Sequence, residues 1–263
     1  MIFSSFFRFL VFLGIVILGP VYYFSISYAQ IKADEVINML DAHYYYPQKK
    51  GLVNIDALLE WEQQDMTSEK KIFLKNPDFR FYGEFKDGKS RKKVKIYDGR
   101  VTLSDNEKAK YIRVLHNYLD AFIPKTLNEK FSEYRGKAKF SGKGQMLIRF
   151  ESVDSLDMDK YYELLVDTNK WRLSGLRVRQ NHEPRIVKGK FLYTRKEGQW
   201  VVAETYSSFT INGQKYSEKT EYTYKKFKLF WLINKVRQTV HQDGHDILLY
   251  RFRLVDYKIN SMN

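Results

Sequence analysis

The apolar positions change period several times along the chain, and each change marks an element. Residues 33–45 place Val36, Ile37, Leu40 and Tyr44 at helical spacing behind Asp34 and Glu35, which predicts a helix with an acidic first turn. A polar break at 47–51 ends it, and 55–61 reads equally as a short helix or as the entry to a strand. From Ile72 the period falls to two. Ile72 and Leu74 share a face, and Phe79, Phe81 and Phe85 then alternate with Arg80, Tyr82, Glu84 and Lys86. Turn signals at Asp87-Gly88 and Asp98-Gly99, with Val94, Ile96, Val101 and Leu103 around them, predict a three-stranded meander.

The strongest helical pattern follows over 105–122. Ala109, Ile112, Leu115, Leu119 and Phe122 recur at i+3 and i+4, Ser104 or Asp105 supplies the cap, and Pro124 ends the helix. Leu127 and Phe131 continue a shorter helical pattern before Gly136. The rest reads as consecutive hairpins over 137–140, 145–150, 161–166, 171–179, 185–193, 200–211, 214–224, 235–241 and 247–259. Asn212-Gly213 and Asp243-Gly244 are hairpin turns, and Ser174-Gly175 shifts the phase between Leu173 and Leu176 as a bulge would. With no linker, low-complexity tract or internal repeat, residues 30–263 are expected to form one mainly β (α+β) domain.

The phase of these strands gathers aromatic stripes: Phe79, Phe81 and Phe85; Tyr216, Tyr222 and Tyr224; Leu248, Tyr250, Phe252 and Leu254. Such a stripe is either an ordinary core face or the wall of a greasy groove. Phe79, Phe81, Tyr222, Tyr224, Tyr250 and Phe252 are expected on the concave side of one curved sheet, with the 105–122 helix across it, because that helix needs an apolar partner of comparable width. Residues 227–233 are the most apolar stretch of the folded region and read as a buried crossing strand, in preference to a membrane-touching loop with basic flanks.

Residues 1–29 stand apart. Phe9 to Phe24 is an apolar run without charge, and Arg8 is the only charged side chain before Lys32. Gly19-Pro20 followed by Ser27-Tyr28-Ala29 suits cleavage before Gln30, while the length through Ala29 also suits an uncleaved membrane anchor. Either fate places the remainder outside the cytoplasm. Absence of cysteine excludes disulfides, thiol catalysis, Cys-ligated metals and a lipid on an N-terminal Cys. The net charge of +14 invites nucleic acid or anionic lipid, but Lys93 and Lys95, Arg177 and Arg179, and Arg251 and Arg253 alternate with apolar residues as on a solvated sheet face. Export makes an anionic membrane surface the expected counterpart, and no nucleic acid.

The segment Ile72-Phe-Leu-Lys-Asn-Pro-Asp-Phe-Arg-Phe, then Val94-Lys-Ile-Tyr-Asp-Gly-Arg-Val-Thr-Leu, and the closing Tyr250-Arg-Phe-Arg-Leu-Val-Asp-Tyr-Lys-Ile-Asn together resemble the LolA/LolB-like lipoprotein-localisation superfamily, the outer-membrane lipoprotein-sorting proteins. The resemblance implies a strongly curved antiparallel sheet forming an incomplete β-barrel, a few helices over its concave face, and a hydrophobic cavity for acyl chains. It also implies a place in the periplasm or on the extracytoplasmic face of the inner membrane. Many carriers of the family have Arg before the corner proline, where this chain has Asn76.

Catalytic chemistry has little in its favour. No serine nucleophile elbow, HExxH or phosphate-binding glycine loop occurs. His241 and His245 flank an exposed turn, and Asp154, Asp157 and Asp159 lack the pattern of a calcium loop. No enzyme activity, cofactor or metal is expected. The leading expectation is an envelope protein that binds a lipid, or the acyl part of a lipidated partner, through Phe79, Phe81, Phe85, Tyr222, Tyr224, Leu248, Tyr250 and Phe252. The alternative is a membrane-anchored, non-catalytic interaction domain with a filled core and a basic sheet face; an envelope hydrolase would lack a nucleophile.

Overall fold

The computed structural model describes residues 31–70, 73–86, 88–97, 103–153 and 160–261. Among the described residues three α-helices, α1 (Ala33–His43), α2 (Asp105–Phe122) and α3 (Leu127–Phe131), accompany thirteen strands. The strands are β1 (Leu52–Asp65), β2 (Phe73–Lys75), β3 (Phe79–Lys86), β4 (Lys89–Ile96), β5 (Tyr134–Gly142), β6 (Gln145–Ser152) and β7 (Tyr161–Asp167). They continue as β8 (Arg172–Arg179), β9 (Ile186–Lys196), β10 (Gln199–Ile211), β11 (Gln214–Phe227), β12 (Phe230–Gln242) and β13 (His245–Ser261).

All strands join one antiparallel sheet in the order β4-β3-β1-β13-β12-β11-β10-β9-β8-β7-β6-β5, with β2 paired on β1 beyond the end of β3. From β5 to β13 each strand pairs with its successor, as the hairpin signals predict. Asn212 and Asp243 take left-handed backbone beside Gly213 and Gly244, the geometry of tight hairpin turns. The sheet does not close, so the architecture is an incomplete curved barrel. Bulges add local bend: one lies at Ser174 between Leu165 and Val166, and another at Asn234, where Thr223 pairs Lys235 and Tyr224 pairs Ile233.

Several elements depart from the sequence reading. Residues 55–61 belong to the long strand β1, held against β13 from Leu52 to Asp65. The first helix stops at His43, because Tyr44 bridges Trp200 and the Tyr45 N–H donates to the Trp200 carbonyl at 2.9 Å, drawing 44–46 into extended backbone. The break that follows holds a 3-10 turn, Pro47–Lys50. Residues 227–233 are not one crossing strand: Phe227 ends β11, Phe230 starts β12, and Leu229 is exposed at the turn between them. The strand expected around Val101 and the acidic cluster at Asp154, Asp157 and Asp159 lie outside the described residues, and Leu103 directly precedes the α2 cap without joining a strand.

Helix α2 begins with a full capping box: the Glu107 N–H donates to Ser104 Oγ, and the Ser104 N–H donates to the Glu107 carboxylate at 2.9 Å. Its buried face, Leu115, Leu119 and Phe122, packs on β1, β3, β12 and β13 to make one core. Helices α1 and α3 pack on β6, β7 and β8 to make a second, around Leu40, Phe131, Ile148 and Phe150. The central strands β9, β10 and β11 contribute only Val201 and Thr220 to the buried residues. Two helical caps at the flanks thus leave the middle of the concave face incompletely filled.

Candidate binding cavity

The gap between the two cores is a cavity of about 370 Å³. Its floor is the sheet: Leu173 and Leu176 on β8, Phe191 and Tyr193 on β9, Val202 and Thr205 on β10, Tyr222 and Tyr224 on β11. The segment Tyr44 to Pro47 forms one wall, and Phe122, Pro124, Leu127 and Phe131 form the roof. The volume falls at the low end of small-molecule sites, and the lining is mostly apolar and aromatic, as such sites require.

Hydrogen bonds fix the walls. The Tyr44 hydroxyl donates to that of Tyr193 at 3.0 Å and accepts the Leu173 N–H at 2.8 Å, while the Tyr224 hydroxyl donates to the Val202 carbonyl at 3.0 Å. The Tyr45 hydroxyl accepts the Trp231 N–H at 2.8 Å. Burial pushes the Tyr44 phenol up to about 12 and raises those of Tyr46, Tyr193, Tyr222 and Tyr224 as well. These hydroxyls stay protonated at neutral pH, so the interior carries polar handles without charge.

The roof is tied to the edge strand β4 and, at the other end of the open sheet, to β6, which neighbours the edge strand β5. Ser90, on the edge strand β4, donates its N–H and hydroxyl to Glu129 of α3 at 2.8 and 2.7 Å. Two residues on, Phe131 stacks on Phe150 of β6 with ring centroids 4.3 Å apart. Helix α3 therefore bridges the opening that the unclosed sheet leaves.

The aromatic residues singled out by sequence divide between core and cavity. Tyr222 and Tyr224 line the cavity. Phe79, Phe81 and Phe252 are essentially fully buried in the α2 core, and Phe85 and Tyr250 pack at its margin. Tyr118 of α2 sits on Phe252 with centroids 4.4 Å apart, so this end of the concave face is filled. Leu248 is half-buried and outside that core, while its neighbour Leu249 is buried. Sequence reasoning missed Tyr44, Tyr46, Phe191, Tyr193 and Trp200. The alternation of Phe191 and Tyr193 was available as a signal; the role of Tyr44 and Tyr46 was hidden by the helical spacing that precedes them.

The cavity mouth has a different chemistry. Asp120, Lys125 and Lys130 are the charged residues of the lining, and they are also its exposed ones. Asp120 is paired with Lys92 of β4 at 2.5 Å. The pair is asymmetric, the Lys92 side chain being 6% exposed and that of Asp120 61%. Burial accordingly lowers the pKa of Lys92 despite its partner; at Asp120 the bond to Lys92 and the nearby lysine charges outweigh partial burial, and the carboxyl is lowered.

A second cleft, of about 580 Å³, lies on the opposite face over β1, β11, β12 and β13. Its lining includes Glu60 and Glu62 alongside Arg237, Arg251 and Arg253, with ion pairs Arg253–Glu60 and Arg237–Glu221. That charged surface is unsuited to an acyl chain. Lys93, Lys95, Arg177 and Arg179 are exposed in the same alternating manner. His241 pairs with Asp246 at 2.5 Å, and no cluster of three or more metal-ligating side chains occurs among the described residues. No described helix is long and apolar enough to cross a membrane.

No protein-family model matches the chain, and no curated protein matches it. Among solved structures it is similar to a LolA superfamily protein from Nitrosomonas europaea, at 7% identity and TM-score 0.39, covering 89% of this chain and 96% of that one. It is similar to a putative outer membrane lipoprotein-sorting protein domain from Vibrio parahaemolyticus, at 8% identity and TM-score 0.38, with coverage of 86% and 91%. A third similar structure, a DUF1329 family protein from Desulfovibrio piger, has 7% identity and TM-score 0.37, with coverage of 86% and 92%.

Proposed function

We propose that this protein binds a lipid, or the acyl part of a lipidated partner, in the cavity between its two cores, and serves lipid or lipoprotein trafficking outside the cytoplasm. The observation that carries the reading is the cavity itself: about 370 Å³ of mostly apolar space roofed by α2, α3 and the segment joining them. Burial of each methylene there contributes about 0.8 kcal/mol, so a chain is held without precise polar contacts. The apolar run before Gln30 supports export, as a cleaved leader or as an anchor.

Native mass spectrometry of the full chain, recovered from membranes without delipidation, tests the proposal. The expected result is an acyl-sized adduct that Val202→Phe, which fills the cavity floor, removes without unfolding the protein. A native protein free of adduct that also fails to take up a fluorescent fatty acid overturns it.

One observation favours a second reading. The α2 end of the concave face is filled, and the opposite face carries a charged cleft in which Lys235, Arg237, Arg251 and Arg253 stand beside Glu60, Glu62 and Glu221, as an anchored interaction domain would have it. In that case Val202→Phe changes nothing that binds, and replacing the outer-face arginines abolishes attachment to anionic vesicles.

A further inference from the structure

We infer that the cavity is built for an amphiphile with an anionic headgroup: the chain lies between the cores, and a carboxylate or phosphate sits at the mouth against Lys125 and Lys130. The inference rests on the acyl-binding reading above and adds the class of ligand to it.

A purely apolar ligand needs a greasy wall and is indifferent to the rim. Here every wall residue is uncharged, and the charge is confined to the exposed rim, as Asp120, Lys125 and Lys130. The one carboxylate among them is already engaged by Lys92 at 2.5 Å. Neither Lys125 nor Lys130 makes an ion pair within 4.0 Å among the described residues, though both feel the Asp120 charge, so the rim presents two ammonium groups without a direct salt-bridge partner beside an opening into apolar space.

Position adds to charge. Lys125 lies in the short connection between α2 and α3, and Lys130 lies in the last turn of α3, whose Leu127 and Phe131 form part of the roof. A headgroup emerging past the roof therefore meets both lysines. Lys130 is open to solvent at its surface, yet desolvation by the surrounding protein lowers its pKa; the Asp120 charge opposes that shift and the neighbouring Lys125 charge adds to it. A bound anion would offset both lowering effects by its opposite charge, as Asp120 does in part. A cationic or neutral headgroup would not.

The test uses the full chain, delipidated, and the displacement of an uncharged fluorescent probe by three ligands of equal chain length: oleate, oleyl alcohol and oleylamine. Oleate is expected to bind about tenfold more tightly than oleyl alcohol, the scale of one charge-assisted contact, and oleylamine most weakly. Lys125→Met with Lys130→Met should erase the advantage of oleate and leave oleyl alcohol unchanged. Lys125→Glu with Lys130→Glu should invert the order in favour of oleylamine. Inorganic phosphate alone should displace nothing, since the chain supplies most of the affinity. Equal binding of oleate and oleyl alcohol by the native protein overturns the headgroup assignment alone. So does a double variant that keeps the preference, or one that loses both ligands equally. Binding of none of the three overturns the acyl-binding reading and this inference with it.

Discussion

The carboxylate of Asp41, on α1, accepts the backbone N–H of Leu127, the first residue of α3, at 2.8 Å. The same carboxylate accepts the Asn128 N–H at 3.0 Å, the Asn128 side-chain amide at 2.8 Å and the Tyr46 hydroxyl at 2.7 Å, while only 2% of the residue is exposed. A five-residue helix cannot hold itself in water. Asp41 holds it from outside and so sets the roof of the cavity.

Asp41→Ala should therefore cost about 3 kcal/mol or more, since it leaves several buried donors without an acceptor. Denaturant unfolding measures the loss, and fatty-acid uptake should fall with it as α3 detaches. An unchanged midpoint together with unchanged uptake would show that the roof is held by its aromatic contacts instead.

Phe81 and Tyr224 should behave differently. Phe252→Ala and Phe81→Ala remove side chains from a filled core, and each should destabilise by about 3–5 kcal/mol. Phe81→Glu buries an unpaired charge and should unfold the protein. Tyr224→Phe removes only a hydroxyl bonded to a carbonyl, at a cost of about 1 kcal/mol, and should leave uptake intact. Calorimetry on the three core variants and this cavity variant separates filled from unfilled parts of the concave face.

Gly136 lies on the edge strand β5 beneath α1, where an added Cβ would stand 2.6 Å from the Phe150 ring and clash with the Ala33 side chain. Gly136→Ala should cost about 1–3 kcal/mol as α1 or Phe150 is pushed aside. Ala33→Gly in the same chain should recover part of the loss. A neutral Gly136→Ala would mean that α1 is free to move.

Alkaline stability follows from the buried phenols. The folded pKa of Tyr44 is raised from 10.0 to about 12 by burial, and those of Tyr46, Tyr193 and Tyr224 are raised too. Above pH 10 the unfolded chain releases these protons while the folded one keeps them, so folding is favoured less as pH rises. The contribution is complete below pH 10 and should be lost as pH climbs through 12. The buried phenols' share of tyrosinate absorbance should appear together with unfolding in that window, and Tyr44→Phe should reduce the slope of stability against pH.

The strands and the two amphipathic helices were legible because period and turn chemistry are local. Phe79 and Phe81 share parity with their neighbours in the core, and Asn212-Gly213 makes the turn its residue types demand. The bulge at Ser174 was legible for the same reason. What covers each stretch of the concave face was not, because that depends on where α2 and α3 pack against strands distant in sequence. Phe252 and Tyr224 look alike along their strands, yet Tyr118 sits on one and empty space adjoins the other. The Tyr44 to Tyr46 segment misled because helical spacing persisted into residues that the Trp200 backbone and Pro47 draw out straight.

The pairing of β1 with β13 joins residues 52–65 to residues 248–261. Every other neighbour pair from β5 onward is a local hairpin, cheap in loop entropy and able to form as soon as its two strands exist. The β1–β13 pair closes nearly the whole chain, and the core under α2 needs both. Until residues 245–261 have been made, Phe79, Phe81 and Leu59 have no completed sheet to enter and remain exposed apolar surface. A chain that emerges from its N-terminus would thus keep this half incomplete until its last strand arrives, while the hairpins of the other half can form in sequence.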